Sequence, residues 1–279
     1  MVRLFAYKAR KVHSLSMMAN ERDIVWFDID NTLYSASSRI ADAMGERIHG
    51  YFTRLGLDDK EASALHLKYF KTYGLALRGL VRYHDVDTLE FDRQCDQSLP
   101  LEDMIGPAPS IRKLLQDIDR SKVRVWALTN AYVVHARRVL RILNLEDQFE
   151  GVVFCDYGEK NFYCKPEPEY FHSAMKKAGI TDPTKCYFVD DSSSVPIFDL
   201  YDRFHLIHYY IETNVDAARR LGWGHCVYFC ETGLETTEGG VKKTIATTTT
   251  FIPELGERVQ VEKLEELRTV WSELFEKES

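Results

Sequence analysis

The sequence is short of basic residues: 36 Lys and Arg stand against 43 Asp and Glu, a net charge of −7. A surface for a nucleic-acid polymer works by releasing counterions from a basic stripe, and this balance argues against one. An anionic small molecule is not excluded, because a few local cations or a metal can outweigh the global sign. No apolar run approaches the roughly 20 residues of a membrane span, so no membrane association is expected. The six cysteines, Cys95, Cys155, Cys164, Cys186, Cys226 and Cys230, form no Cys-x-x-Cys pair. Most lie in apolar, strand-like stretches, which marks them as reduced core thiols of a cytoplasmic protein, with the nucleus a second open compartment. There is no internal repeat, and no acidic residue before Glu21. The early segment carries Arg3, Lys8, Arg10 and Lys11, a weak likeness to a transit peptide. The expectation is a disordered basic tail over residues 1–22.

What remains is ordinary globular material: 279 residues, 45% hydrophobic and 28% charged, enough to bury a core. Ile24-Val25-Trp26-Phe27 is a short β-forming run that stops at Asp28 and Asp30, the pattern of a buried strand feeding a loop. Similar runs recur at residues 123–128, 152–155, 186–189 and 226–229. Residues 135–143 and 170–178 have helical spacing and are closed by Asn144 and Gly179. Strands alternating with helices predict parallel pairing through right-handed crossovers, hence an α/β fold with a doubly wound, Rossmann-like sheet. Residues 35–106 break the alternation and read as an inserted all-helical cap. The core is then residues 23–34 and 107–279, with Gly106-Pro107-Ala108-Pro109 as the hinge. Residues 261–275 place Leu264, Leu267, Val270, Trp271 and Leu274 on one helical face, which predicts a packing helix. Residues 247–250, with Gly239-Gly240 nearby, read as a loop or an edge hairpin.

Four short signals follow in order. Asp28-Ile29-Asp30-Asn31-Thr32 puts two carboxylates at a strand end. Asp28 could attack phosphorus and form an aspartyl-phosphate, and Asp30 could protonate the leaving oxygen and then activate water. In Thr129-Asn130 a hydroxyl and the following N–H could hold phosphate oxygens. Lys165, before Pro166, offers a compact positive charge. Asp190-Asp191 supplies oxygen ligands that suit Mg²⁺. A turn, a surface loop or a helix cap would explain each signal alone. Together, three lie at carboxyl ends of predicted parallel strands, the edge where ligands bind in open α/β sheets.

These residues resemble the motifs of the haloacid dehalogenase-like superfamily. The segments FDIDNTLY, YGLALRGL, SLPLED, LTNAYVVHARRVLRILNLEDQFEG, CDYGEKNFYCKPEPEYF and YFVDDS resemble its fungal and plant pyrimidine 5′-nucleotidase branch. The resemblance implies a Mg²⁺-dependent phosphomonoesterase acting on a small phosphorylated metabolite, a nucleoside monophosphate such as UMP or CMP. It implies Asp28 as nucleophile and Asp30 as acid/base. The metal would be held by the Asp28 carboxylate, the Asp30 main-chain carbonyl and Asp190, with Asp191 close behind. Thr129, Asn130 and Lys165 would bind phosphate, and the cap would select the substrate, with Tyr73 and Arg78 as its candidate contacts. Lysophospholipid and sugar-phosphate substrates stand as alternatives, as does a binding protein on a weakened scaffold. A dehalogenase would need neither Asp30 nor a metal. The sequence leaves the oligomeric state open.

One departure stands beside the metal motif. The family pattern places an Asn shortly after Asp-Asp-Ser, opening a helix toward Leu-Gly-Trp; here that Asn is Asn214. Residues 193–213 therefore read as an insertion. It is either an extra element on the active edge or, the favoured reading, a retained intron translated in frame.

Overall fold

The computed structural model describes residues 22–192, 213–246 and 254–276. Apart from Arg22 and Thr213, the basic tail and the insertion lie outside these, as do residues 247–250.

Five strands form where the apolar runs predict them: β1 (Asp23–Phe27), β2 (Val123–Leu128), β3 (Gly151–Val153), β4 (Cys186–Asp190) and β5 (His225–Phe229). With β8 (Val259–Val261) they make a six-stranded sheet in the order β3-β2-β1-β4-β5-β8, every pairing parallel. The chain winds outward from β1 in both directions, so the order reverses beside β1 and leaves a crevice at the carboxyl ends there. Alternation explains why the runs are apolar throughout. Ile24 and Trp26 enter one core, with Phe171, Phe188 and Trp223, while Val25 and Phe27 enter the other, with Val125, Val189 and Phe229. Both faces are dry, and each buried apolar side chain contributes about 1.5–3 kcal/mol.

The helices cover both faces. α6 (Pro109–Gln116) and α7 (Val133–Ile142) bury Leu114, Leu115, Val139 and Leu140 on one side. α8 (Pro168–Ala178) and α9 (Asn214–Arg220) bury Phe171, Ala174, Val215 and Ala218 on the other. α8 stops at Gly179, in the left-handed conformation. Between β1 and α6 the chain forms α1 (Ile40–Arg54), α2 (Asp59–Tyr73), α3 (Ala76–Tyr83), α4 (Thr88–Gln94) and the short α5 (Leu101–Met104), with no strand among them. A capping box at Asp58 and Glu61 starts α2, and Gly74 ends it. No described helix is long and apolar enough to cross a membrane.

One expectation changes. Residues 261–275 are not one packing helix. Val261 ends β8, α10 spans only Leu267–Val270, and short turns flank it. The predicted apolar residues Leu264, Leu267, Trp271 and Leu274 are buried, but the backbone is claimed elsewhere: Asp119 N–H donates to the Leu274 carbonyl at 2.8 Å, and Glu276 N–H to the Asp117 carbonyl at 3.2 Å. These tertiary bonds replace the ladder a helix would need. The turn residues Gly239-Gly240 do join an antiparallel hairpin, β6 (Glu235–Glu238) and β7 (Val241–Thr244), both with positive φ (55° and 79°). That hairpin lies against the helical insertion: the Thr237 hydroxyl bonds Asp42 on α1.

Candidate active site

Asp28 leaves β1 with its N–H on the Val189 carbonyl of β4 at 3.0 Å, so the sheet itself fixes it at the crevice. One carboxylate oxygen accepts from the Thr32 hydroxyl at 3.0 Å and the other from Lys165 Nζ at 2.6 Å. Burial pushes the Asp28 carboxyl up to about 7; Lys165 opposes this, and the charges of Asp190 and Asp30 add to it.

Lys165 is 1% exposed. Its three ammonium hydrogens are all used: on Asp28 (2.6 Å), on Asp190 (2.6 Å) and on the Leu128 carbonyl (2.9 Å). Burial favours loss of its proton, but the two carboxylates outweigh that and raise it above its ordinary value. The Asn130 amide clamps the same residue, taking the Lys165 N–H at 2.7 Å and giving to its carbonyl at 2.9 Å. The peptide bond to Pro166 is cis. Thr129 is anchored by the Val153 carbonyl, and its hydroxyl lies 3.4 Å from Asp30. The structure thus brings Asp28, Asp30, Thr129, Asn130 and Lys165 to one place.

Asp190 and Asp191 meet different surroundings. Asp190 is fully buried and engaged by Lys165, by the Asn214 amide (3.0 and 3.1 Å) and by the Ser192 N–H (2.8 Å). Asp191 instead joins Asp28 and Asp30 on the wall of a cavity of about 240 Å³. Burial raises the Asp191 carboxyl well above the usual range, and the charges of Asp28, Asp190 and Glu238 raise it further. Crowded carboxylates of this kind favour a cation among them. Among the described residues no three His, Cys, Asp or Glu side chains form a preformed metal cage. Two carboxylates and a main-chain carbonyl suit Mg²⁺ nevertheless, since that ion keeps several waters.

Asp30 has partners that the sequence reading missed. One oxygen accepts from the Tyr34 hydroxyl at 2.8 Å and meets His135 Nε2 at 2.8 Å. Burial pushes the Asp30 carboxyl up, but the His135 charge and these bonds outweigh it and hold it below the usual carboxylate value. Burial likewise disfavours His135 as imidazolium; Asp30, with Asp96 and Asp92 behind, raises it to about 9. Tyr34, four residues past Asp30, was the findable one. His135 shows in the sequence only as an early residue of α7.

The cap candidates fall outside the cavity lining. Arg78 is buried and makes a two-point bond with Glu167, one arm at 3.0 Å, tying α3 to the start of α8. The Tyr73 hydroxyl meets that of Tyr83 at 2.8 Å, and the Arg82 guanidinium lies 4.5 Å above the Tyr73 ring. The wall facing Asp28 is built instead from Ile40, Met44 and Ile48 of α1 and from His66 and Phe70 of α2. Arg78, a candidate contact for base or sugar in the sequence, is here engaged by the nearby acid of Glu167.

The model of the haloacid dehalogenase-like hydrolases matches residues 23–194. Phosphate metabolism protein 8 of Saccharomyces cerevisiae is 33% identical over 219 residues, 75% of this chain; the match spans 62% of that relative's length. Among solved structures, a phosphatase of the same superfamily from Thermococcus onnurineus superposes with a TM-score of 0.50 at 18% identity, covering 89% of this chain and 97% of the other. A haloacid dehalogenase-like hydrolase from Bacteroides fragilis gives 0.53 at 15% identity, covering 88% and 100%. These two likenesses speak for the fold alone. The family match covers more than half of the chain, from the first strand through both acidic motifs, and the protein belongs to the haloacid dehalogenase-like hydrolases.

Proposed function

We propose that the protein is a Mg²⁺-dependent phosphomonoesterase whose substrate is a nucleoside 5′-monophosphate. One observation carries the reading: Asp28 and Asp30 open side by side into one cavity, Asp28 held by Lys165 and Asp30 by His135 and Tyr34. Asp28 attacks phosphorus, the bond to the leaving oxygen breaks, and Asp30 relays to that oxygen the proton of its imidazolium partner His135. Water then attacks the aspartyl-phosphate, Asp30 takes the water's proton, and Asp28 is released with inorganic phosphate. The Asp28 carboxylate, the Asp30 main-chain carbonyl and Asp191 would hold Mg²⁺; Asp190 supports the site through Lys165. When bound, the ion supplies charge neutralisation on the phosphoryl oxygens. Thr129 and the Asn130 N–H would hold phosphate oxygens, and Lys165 would add its charge beside the nucleophile. The apolar wall from α1 and α2 favours a leaving group with an apolar face, as a pyrimidine nucleoside has. The domain division follows: residues 23–34 and 107–279 as core, 35–106 as selecting cap. A panel of phosphomonoesters with and without Mg²⁺ tests the reading. UMP and CMP should be turned over only with Mg²⁺, and Asp28→Asn should abolish turnover; activity surviving that change would exclude the mechanism.

A further inference from the structure

Four cavity-lining residues each carry a buried polar atom with no hydrogen-bond partner among the described residues, Asn31 Oδ1, His66 Nδ1, Asp96 Oδ2 and His135 Nδ1, and of these Asp96 and His135 act on each other electrostatically. Asp96 is 4% exposed and His135 3%. Buried polar groups in folded proteins are almost always bonded, and leaving one bare costs about 1–3 kcal/mol. Neither atom is bare for want of a role nearby. His135 spends its other nitrogen on Asp30, all three side chains line the same cavity, and Asp96 acts electrostatically on both His135 and Asp30. Asp96 comes from the turn after α4, on the inserted helical segment, whereas His135 and Asp30 belong to the sheet and its helix α7. Their wall is therefore a seam between cap and core, beside the residue proposed to protonate the leaving group.

We propose that Asp96 and His135 form a hydroxyl-binding subsite for the leaving group, so that the enzyme selects phosphomonoesters whose alcohol carries a further hydroxyl, as a ribose does. A hydroxyl donates one hydrogen bond and accepts others, so it can give its hydrogen to Asp96 Oδ2 while accepting from Nδ1–H of the His135 imidazolium, whose Nε2–H is on Asp30. An apolar group in the same place would leave both atoms bare. A second phosphate there would face the acids Asp96 and Asp30. A site built to bond a hydroxyl discriminates strongly against an analogue that lacks it, because its own buried groups are then unpaired. This inference rests on the phosphomonoesterase reading and extends it to the choice of alcohol.

The experiment compares kcat/KM for UMP with that for its 2′,3′-dideoxy counterpart, and for glycerol phosphate with propyl phosphate. p-Nitrophenyl phosphate, which has no hydroxyl to offer, serves as reference. The hydroxylated member of each pair should be favoured by about tenfold or more. Asp96→Asn, close to isosteric, and Asp96→Ala should each shrink that ratio by about tenfold. Equal rates within both pairs in the unaltered enzyme, with p-nitrophenyl phosphate hydrolysed, would overturn the subsite while leaving the phosphatase reading intact. An Asp96 variant that slows all esters in proportion would also overturn it, assigning Asp96 to the fold. No hydrolysis of any ester would sink the phosphatase reading itself. The ratio in the unaltered enzyme needs no variant to fold.

Discussion

Lys165 Nζ lies 2.6 Å from both Asp28 Oδ1 and Asp190 Oδ2, with all three side chains shut away from solvent. The lysine offsets two acids that the sheet brings to one crevice. Removing one partner of a buried pair is far more costly than its net contribution, because the other charge is left bare. Lys165→Met keeps the volume and removes the charge. It should lower stability by about 3 kcal/mol at pH 7 in urea unfolding and reduce turnover at least a hundredfold. The loss should be smaller at pH 5, where the unpaired acids can take up protons. An equal loss at both pH values would place the effect in packing.

Asp191 should be the ligand that Mg²⁺ reports on. Adding Mg²⁺ at a hundredfold excess over its Kd should stabilise the protein by about 2.7 kcal/mol. Because burial and neighbouring acids raise the Asp191 carboxyl, protons compete with the ion at low pH. The thermal shift should therefore grow from pH 5 to pH 8 and vanish in Asp191→Asn. A full shift in that variant would move the ion elsewhere.

The His135–Asp30 pair sets a pH window. His135 is raised from 6.5 to about 9 in the folded protein, so its stabilisation is fully present below about pH 6.5 and is lost as pH rises through about 9. Asp30 is lowered, so its contribution is present above the ordinary aspartate value and is lost as pH falls through the lower one. Stability should fall on the alkaline side by at most about 3 kcal/mol. His135→Gln should flatten that decline between pH 6.5 and 9, as read from urea midpoints. An unchanged alkaline slope would show that another group carries it.

Arg78 should matter for stability and not for substrate choice. Its guanidinium is committed to Glu167 and stacks near Phe162 (5.4 Å). Arg78→Ala should cost about 2 kcal/mol and leave the kcat/KM ratios between esters unchanged. A changed ratio would return Arg78 to the substrate.

Gly74 should be intolerant of a side chain. It sits at φ 74° where α2 ends, and a Cβ there would fall 2.4 Å from the Lys165 carbonyl. Gly74→Ala should cost more than the ~1 kcal/mol of left-handed strain, and should depress kcat by displacing the Lys165 loop. Wild-type kcat in that variant would show that the loop yields freely.

The sequence alone determined the parallel sheet and the place of its chemistry. Runs such as Ile24-Val25-Trp26-Phe27 are apolar at every position because both faces are covered, and Asp28 and Asp30 end that run abruptly. Strand direction then puts Thr129, Lys165 and Asp190-Asp191 at the same edge. Tertiary structure decided what periodicity does not encode. Asp190 keeps the inward register of β4 and meets Lys165, whereas Asp191 lies past the strand end and turns to the cavity. His135 reaches Asp30 across 105 positions, a distance no local pattern spans. Arg78 is taken by Glu167, and the tail around Trp271 gives its backbone to residues 117–119 in place of its own helix. In each case the local signal was satisfied by a partner far away in sequence, and only the folded chain brings that partner into reach.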